Sequence, residues 1–317
     1  MDIKIYCQSS VSLKLDSKVD AIVTDPPYGI NYDDWDKYDN CVSFNKNTWK
    51  KISDNLKPGG YLAIFGAART FHRLVVAVED AGLDIRDQLL WLHSMGMPKS
   101  SNVGKKLPEW EGWGTGLKPC YEPILLAQKP ILEKSIVKNV EKHGVGAINI
   151  DASRLPCGRW PGNVLHDGSD EIEEQFAKYG ERGNGWSRNY GTEDYQGRQY
   201  KGGVFGGGRF LGNTTYADKG TASRFFYNVK ASKKERTHDR TIKNDHPTVK
   251  PIDVMKYIIK MVTPTNGIVY DPFTGSGTTL VACKELGYKY VGCEMEQKYV
   301  DIANERLNKI NNLETFM

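Results

Sequence analysis

The run Val19-Asp20-Ala21-Ile22-Val23-Thr24 is strand-sized and nearly all apolar, and Asp25-Pro26-Pro27-Tyr28-Gly29 cuts it short. A strand that ends in a carboxylate, two prolines and an aromatic ring can hold a flat, amino-bearing group. Asp25 can accept from one N–H, the Pro26 carbonyl from a second, and the Tyr28 ring offers a stacking face. Each proline fixes its own φ and brings no N–H that needs a partner, so the loop is stiff. Taken alone, the string is equally ordinary turn chemistry. The rest of the chain has to decide between the two.

On either side of this junction short apolar runs alternate with helix-like stretches, which argues for a parallel-rich α/β sheet. Residues 3–6, 21–23, 61–65 and 88–92 read as strands. A helix ending near Leu56 stops at Lys57-Pro58-Gly59-Gly60, and another covers 69–81. From His246 the pattern resumes: a helix over 254–262, a strand over 267–270, a helix from Thr278 and a strand over 289–292. The final helix carries Tyr299, Ile302, Ala303, Leu307 and Ile310 on one face, a stripe made for core packing.

Residues 129–243 read differently, as an inserted, loop-rich segment. Within them, 183–220 are dense in glycine with interleaved rings such as Trp186, Tyr190, Tyr200 and Phe210. The chain carries a net charge of only +4, yet residues 182–240 hold twelve Lys/Arg against five Asp/Glu. Such a local basic excess is the footprint of a polyanion-binding segment. Rings can stack on bases while Arg188, Arg198, Arg209 and Arg224 meet phosphates. A solvated loop, ordered on binding or never, is the plainer alternative.

The second motif is Ile268-Val269-Tyr270-Asp271-Pro272-Phe273-Thr274-Gly275-Ser276-Gly277-Thr278-Thr279, a strand, a glycine-rich turn and a helix start. The turn lets a ligand approach the backbone closely. A phosphate-cradling loop would need Lys after its last glycine, and the dinucleotide fingerprint would carry a third glycine where Leu280 stands. A bound di- or triphosphate is thereby disfavoured. The next strand ends in Glu294, placed to accept from two ribose hydroxyls. These features imply a nucleoside without phosphate, and S-adenosylmethionine is one.

His246-Pro247-Thr248-Val249-Lys250-Pro251 lies just upstream. Together with the Asp-Pro-Pro-Tyr loop and the glycine-rich turn, it resembles the beta-group DNA amino-methyltransferases, in this order and over nearly the whole chain. The resemblance implies a Rossmann-like α/β methyltransferase sheet with circularly permuted motif order. It divides the chain into a catalytic half (1–128), an inserted target-recognition region (129–243) and a cofactor-binding half (244–317). Asp25, Pro26, Pro27 and Tyr28 would act on a flipped base. Asp271, Pro272, Phe273, Gly275, Ser276, Gly277, Thr278 and Glu294 would hold S-adenosylmethionine, joined by His246, Thr248 and Lys250, the last two near its methionine end. Members often carry Gly-Asp after the first strand where this chain has Cys7-Gln8-Ser9; the Gln8 amide can still reach the adenine.

Cytosine-N4 members of that family more often carry Ser before the two prolines, so the resemblance with Asp25 implies N6 of adenine over N4 of cytosine; RNA or a protein glutamine as substrate is a second reading, and an inactive DNA-binding scaffold a third. The strings Lys118–Pro123, Gly158–Val164 and Ser223–Tyr227 resemble one branch common in bacteria and their viruses. Glu122 and Arg159 within them have no assigned chemistry. Double-stranded DNA is the implied partner; a homodimer, and a restriction endonuclease on a separate chain, stay open. The six scattered cysteines lack a Cys-x-x-Cys pair, so neither metal nor disulfide framework is expected. Met1–Tyr6 has no signal-peptide core and the apolar runs are strand-sized, so a cytoplasmic protein off the membrane is expected.

Overall fold

The computed structural model describes residues 4–94, 96, 98, 100–155, 158–181, 219–228, 244 and 249–311. Its strands are β1 (Lys4–Cys7), β2 (Val19–Thr24), β3 (Leu56–Phe65), β4 (Asp84–Leu92), β5 (Tyr121–Gln128), β6 (Val164–His166), β7 (Tyr227–Asn228), β8 (Ile268–Asp271) and β9 (Lys289–Glu294). They form one sheet in the order β1-β9-β8-β2-β3-β5-β4-β6-β7. Strand β5 runs antiparallel to both its neighbours, and the other pairings are parallel. The described helices are α1 (Lys46–Asp54), α2 (Phe71–Asp80), α3 (Ile136–His143), α4 (Asp170–Ala177), α5 (Ile252–Val262), α6 (Thr278–Glu285) and α7 (Gln297–Asn311). None of them is long and apolar enough to cross a membrane.

All of β2 is buried, which is why its sequence shows no polar-out alternation. Successive side chains still point to opposite faces. Ala21 and Val23 pack with residues of α5 and α6, whereas Ile22 packs with Trp49 and Ile52 of α1 and Leu74 and Val78 of α2. Asp20, the carboxylate within this strand, takes the Lys57 ammonium at 2.6 Å and the Ile268 N–H at 2.7 Å, so its charge pins the start of β8 beside β2.

Lys57-Pro58-Gly59-Gly60, read from sequence as a stop before a strand, is instead a bulge inside β3. Val19 and Ala21 of β2 pair with Leu56 and Tyr61, so four residues of β3 bow out. Gly59 has φ +81°, and a Cβ there would collide with the Asn139 amide. That amide donates to Pro58 O (2.9 Å) and Val145 O (2.8 Å), so α3 holds the bulge in place. The stretch 129–243 is accordingly more than loop. It supplies α3, α4, and the strands β6 and β7 that extend the sheet beyond β4. The arginine-bearing, glycine-rich cradle at 182–218 lies outside the described residues. Arg224 lies within them and donates to the Gly220 and Thr221 carbonyls.

From β8 the chain proceeds to β9 on one side, and from β2 to β3 on the other. The neighbouring parallel strands β8 and β2 therefore form a topological switch point, with a crevice outside their carboxyl ends.

A candidate active site in the crevice between two parallel strands

Both sequence motifs open into this crevice. Asp25 follows the last residue of β2, and Asp271 is the last residue of β8. The Thr24 hydroxyl donates to Asp271 Oδ1 at 2.6 Å, tying the two strand ends together. A cavity of about 430 Å³ runs between them, walled among others by Asp25–Tyr28, Gln8, Phe273 and Glu294.

The Asp25–Gly29 loop is held from outside the cavity. Ser43 Oγ donates to Pro27 O, and Thr70 Oγ1 to Tyr28 O, both at 2.6 Å. Asp36, nearly fully buried, accepts from Gly29 N at 2.6 Å and from Ile30 N and Tyr32 N at 3.1 Å. Among the described residues none donates to the carbonyl of Pro26, a residue of the cavity wall.

Four side chains meet at the end of β2. Lys250 Nζ lies 2.7 Å from Asp25 Oδ2 and 3.1 Å from Glu122 Oε2. The Tyr28 hydroxyl is 2.6 Å from Asp25 Oδ1 and 2.9 Å from that same Glu122 oxygen. Burial raises the Asp25 carboxyl above its ordinary range, against the lowering pull of Lys250 and with the help of Glu122. Burial alone would lower the Lys250 ammonium, but the two carboxylates reverse this and hold it above its usual range. Burial and both carboxylates push the Tyr28 phenol well up, so it stays protonated.

Sequence reasoning placed Lys250 at the methionine end of a cofactor. It lines the cavity, while its ammonium is engaged by Asp25 and Glu122 and only 7% of the side chain is exposed. Glu122 had no assigned role. It arrives because β5 is antiparallel: its first residues lie at the edge where β3 ends, with Phe65 paired to Ile124. No short-range spacing signals a pairing of that kind; the string Lys118–Pro123 was the nearest hint.

On the other wall, Asp271 is 2% exposed and accepts from Phe273 N at 3.1 Å besides Thr24. Burial pushes its carboxyl up to about 6, against hydrogen bonds from Thr24 and Thr279. It acts first as a tie between strands. Gly275 N donates to Glu294 Oε2 at 2.8 Å, and Met295 N and Glu296 N donate to Oε1 at 2.8 and 3.0 Å. Glu294 is thereby held in one orientation with acceptor capacity to spare. Gln8 is fixed beside it by a bond from its N–H to Glu294 O at 2.9 Å.

Pro272, Phe273, Gly275, Ser276 and Thr278 stand on the cavity wall, but Gly277 does not. Gly277 has φ +84°, and a Cβ there would come within 2.7 Å of the Ala303 Cβ on α7. It permits the turn and the close approach of α7. His246 and Thr248 lie outside the described residues. A further residue escaped the sequence reading: Arg306, fully buried on α7, donates from Nη1 to Ser276 O (2.7 Å) and Thr278 Oγ1 (3.1 Å) and so braces the glycine turn.

The residues fit S-adenosylmethionine. Among the described wall residues the carboxylates of Asp25, Asp34, Asp36, Asp271, Glu294 and Glu296 outnumber the one ammonium, Lys250. Such a wall repels phosphate and favours a cation, and the ligand carries a sulfonium and an ammonium. No group of three or more His, Cys, Asp and Glu that could hold a metal ion occurs among the described residues.

Comparison with known proteins points the same way. Residues 19–305 match the N6/N4 methyltransferase family, described as DNA methylase. The chain is 26% identical over 348 aligned residues to Type II methyltransferase M.HindIII of Haemophilus influenzae, covering 93% of this chain and 91% of that protein. Type II methyltransferase M1.MboII of Moraxella bovis is 26% identical over 299 residues, 92% of this chain and 90% of that one. Among solved structures, M1.HpyAVI aligns with TM-score 0.52 and 20% identity over 97% of this chain and 99% of its own. The cytosine-N4-specific PvuII DNA methyltransferase aligns with TM-score 0.53 and 14% identity over 96% and 92%. At these identities the two structures speak to the fold.

Proposed function

The chain belongs to the N6/N4 DNA methylase family, and from that premise we propose that it methylates the exocyclic N6 of an adenine flipped out of double-stranded DNA, using S-adenosylmethionine. The observation that carries this reading is the meeting of Asp25-Pro26-Pro27-Tyr28 and the 271–278 turn on the walls of one acidic cavity.

S-adenosylmethionine supplies the activated methyl group. Glu294 would accept from its ribose hydroxyls, Gln8 and Phe273 would hold its base, and the Gly275 turn would let the ligand lie against the backbone. On the substrate side, the target base leaves the duplex at a cost of a few kcal/mol, offset by stacking on Tyr28. An exocyclic amine is a poor nucleophile because its lone pair is delocalised into the ring. One N–H donates to Asp25 and the other to the Pro26 carbonyl, which favours a more tetrahedral nitrogen. Asp25 keeps a free lone pair on each oxygen despite Tyr28 and Lys250, and its charge steadies the positive charge that grows on nitrogen. Much of the rate enhancement comes from positioning, which the clamps on Pro27, Tyr28 and Gly29 provide.

Adenine is favoured over cytosine by the aspartate at position 25, and DNA over other amines by the family. The Type II names of its relatives extend the proposal to the modification half of a restriction–modification pair, with the endonuclease on another chain. The test is tritium transfer from labelled S-adenosylmethionine to duplex DNA, followed by digestion to nucleosides and mass spectrometry. N6-methyladenine is the expected product. N4-methylcytosine would replace the adenine reading, and no transfer with intact cofactor binding would leave a DNA-binding scaffold.

A further inference from the structure

We propose that Glu122 is a second acid–base group of the methyl-transfer site, taking the proton shed by the methylated amine through the Tyr28 hydroxyl and passing it toward His93. The inference rests on the amine-methylation reading above.

The geometry is a line of oxygens. Asp25 Oδ1, Tyr28 Oη and Glu122 Oε2 follow one another at 2.6 and 2.9 Å. A hydroxyl has a single hydrogen, so it can be given to only one of the two carboxylates at a time. The arrangement is complete when one carboxyl donates to the phenol oxygen and the phenol donates to the other. A single proton added to Asp25 and Glu122 meets that condition, and it also brings these two groups and Lys250 from a net charge of −1 to zero.

The reaction supplies such a proton. When the methyl group moves from sulfonium to nitrogen, the sulfur becomes a neutral thioether and the nitrogen gains one positive charge. An N–H bond then breaks, and its proton goes to Asp25 Oδ1. Left there, it would weaken the 2.7 Å pair with Lys250 and block the next amine. Instead the Asp25 O–H proton passes to the Tyr28 oxygen while the Tyr28 O–H proton passes to Glu122 Oε2. Asp25 is again a carboxylate, Tyr28 is unchanged and Glu122 is neutral. No oxidant or further reactant is needed.

Glu122 faces outward at its other oxygen. Oε1 lies 3.9 Å from His93 Nε2, a gap that one water or a small rotation closes. Burial lowers the His93 pKa against the raising influence of Glu122 and Asp167, with Lys250 and Lys118 pushing the same way as burial, so the ring is neutral at pH 7 and can accept. On the inner side the charge of Asp25 helps to raise the Asp271 carboxyl across the crevice. The exit route thus leaves on the β4 and β5 side, away from the cofactor wall.

The experiment is a single turnover with saturating S-adenosylmethionine and duplex DNA in weak buffer, following protons with an indicator dye and methylation by quenching. Wild type should release one proton per methyl in step with transfer. E122Q keeps the shape, and Y28F keeps the stacking ring, but each breaks the relay. In both, proton release should lag behind methylation, turnover should slow by about 10²-fold, and the pH profile of transfer should change shape. Cofactor affinity by calorimetry should be unchanged. Release in step with transfer in both variants, or slow turnover with an unaltered pH profile, would overturn the relay while leaving the methylation reading intact. Absence of transfer by wild type would overturn both. If E122Q does not fold, the same outcomes are read from Y28F.

Discussion

Lys250→Met tests the buried charge cluster directly. Methionine keeps most of the lysine stem and removes its ammonium, leaving Asp25 and Glu122, at 2.7 and 3.1 Å in the wild type, with no cation between them. Removing one partner of a buried ion pair typically costs about 3–5 kcal/mol. With an unfolding entropy of about 2.1 cal/mol/K per residue, a 317-residue chain loses roughly 1.5 °C of Tm per kcal/mol, so the variant should melt about 4–8 °C lower at pH 8. The sign of the pH dependence follows from Asp25, whose carboxyl is already raised and climbs further without the cation. A raised acid contributes stability that is fully present below its unfolded pKa and is lost as pH rises through the folded one. The deficit of the variant is therefore largest at pH 8 and shrinks toward pH 5. Differential scanning calorimetry across that range is the assay, with Lys250→Met/Glu122→Gln as the second arm. Removing one anion along with the cation should restore part of the lost stability. A melting point within about 1 °C of wild type at pH 8, or a deficit that grows on acidification, would refute the reasoning. Lost S-adenosylmethionine affinity with an unchanged melt would return Lys250 to the cofactor.

Asp25→Asn should leave S-adenosylmethionine binding intact by calorimetry and reduce methyl transfer by about 10²–10³-fold, the usual loss when a group aimed at developing charge is neutralised; undiminished transfer would sink its role. Gly277→Val should destabilise the fold by about 2 kcal/mol or more, because φ is +84° and the new Cβ meets Ala303. Denaturant unfolding measures this, and an unchanged midpoint with reduced cofactor affinity would return Gly277 to the cofactor contact that the sequence led us to expect. Asp271→Asn concerns an acid raised from 3.8 to about 6, a shift equivalent to about 3 kcal/mol of stability. That contribution is present below pH 3.8 and lost as pH rises through 6, so the amide variant should gain on wild type above pH 6 and lose its advantage in acid. Wild type proving the more stable at pH 8 would show that the Asn cannot keep the bonds to Thr24 and Thr279.

Much of the catalytic edge is local chemistry and can be read from the chain. An apolar run, a carboxylate, two prolines and an aromatic lie within eleven residues, so the strand, its abrupt end and the groups presented there follow from neighbouring side chains and proline stereochemistry. The 268–279 turn is legible for the same reason, and so is the absence of a phosphate-binding lysine. Lys57-Pro58-Gly59-Gly60 misled because a bulge and a turn use the same residues. The pairing with β2 and the Asn139 amide, about eighty positions away, show which it is.

The residues 19–29 and 268–279 thus determine by themselves a strand cut short by a stiff carboxylate–proline–aromatic loop and a strand followed by a glycine-rich turn, since each depends on contacts within a few positions. What the tertiary structure alone decided is the electrostatics between them. Lys250 pairs with Asp25, 225 positions earlier, and Glu122 enters the site because one strand runs antiparallel. Arg306 reaches back 30 positions to brace the turn. Charge pairing in a buried crevice is set by distance and desolvation, which the folded sheet fixes and the order of residues along the chain does not reveal.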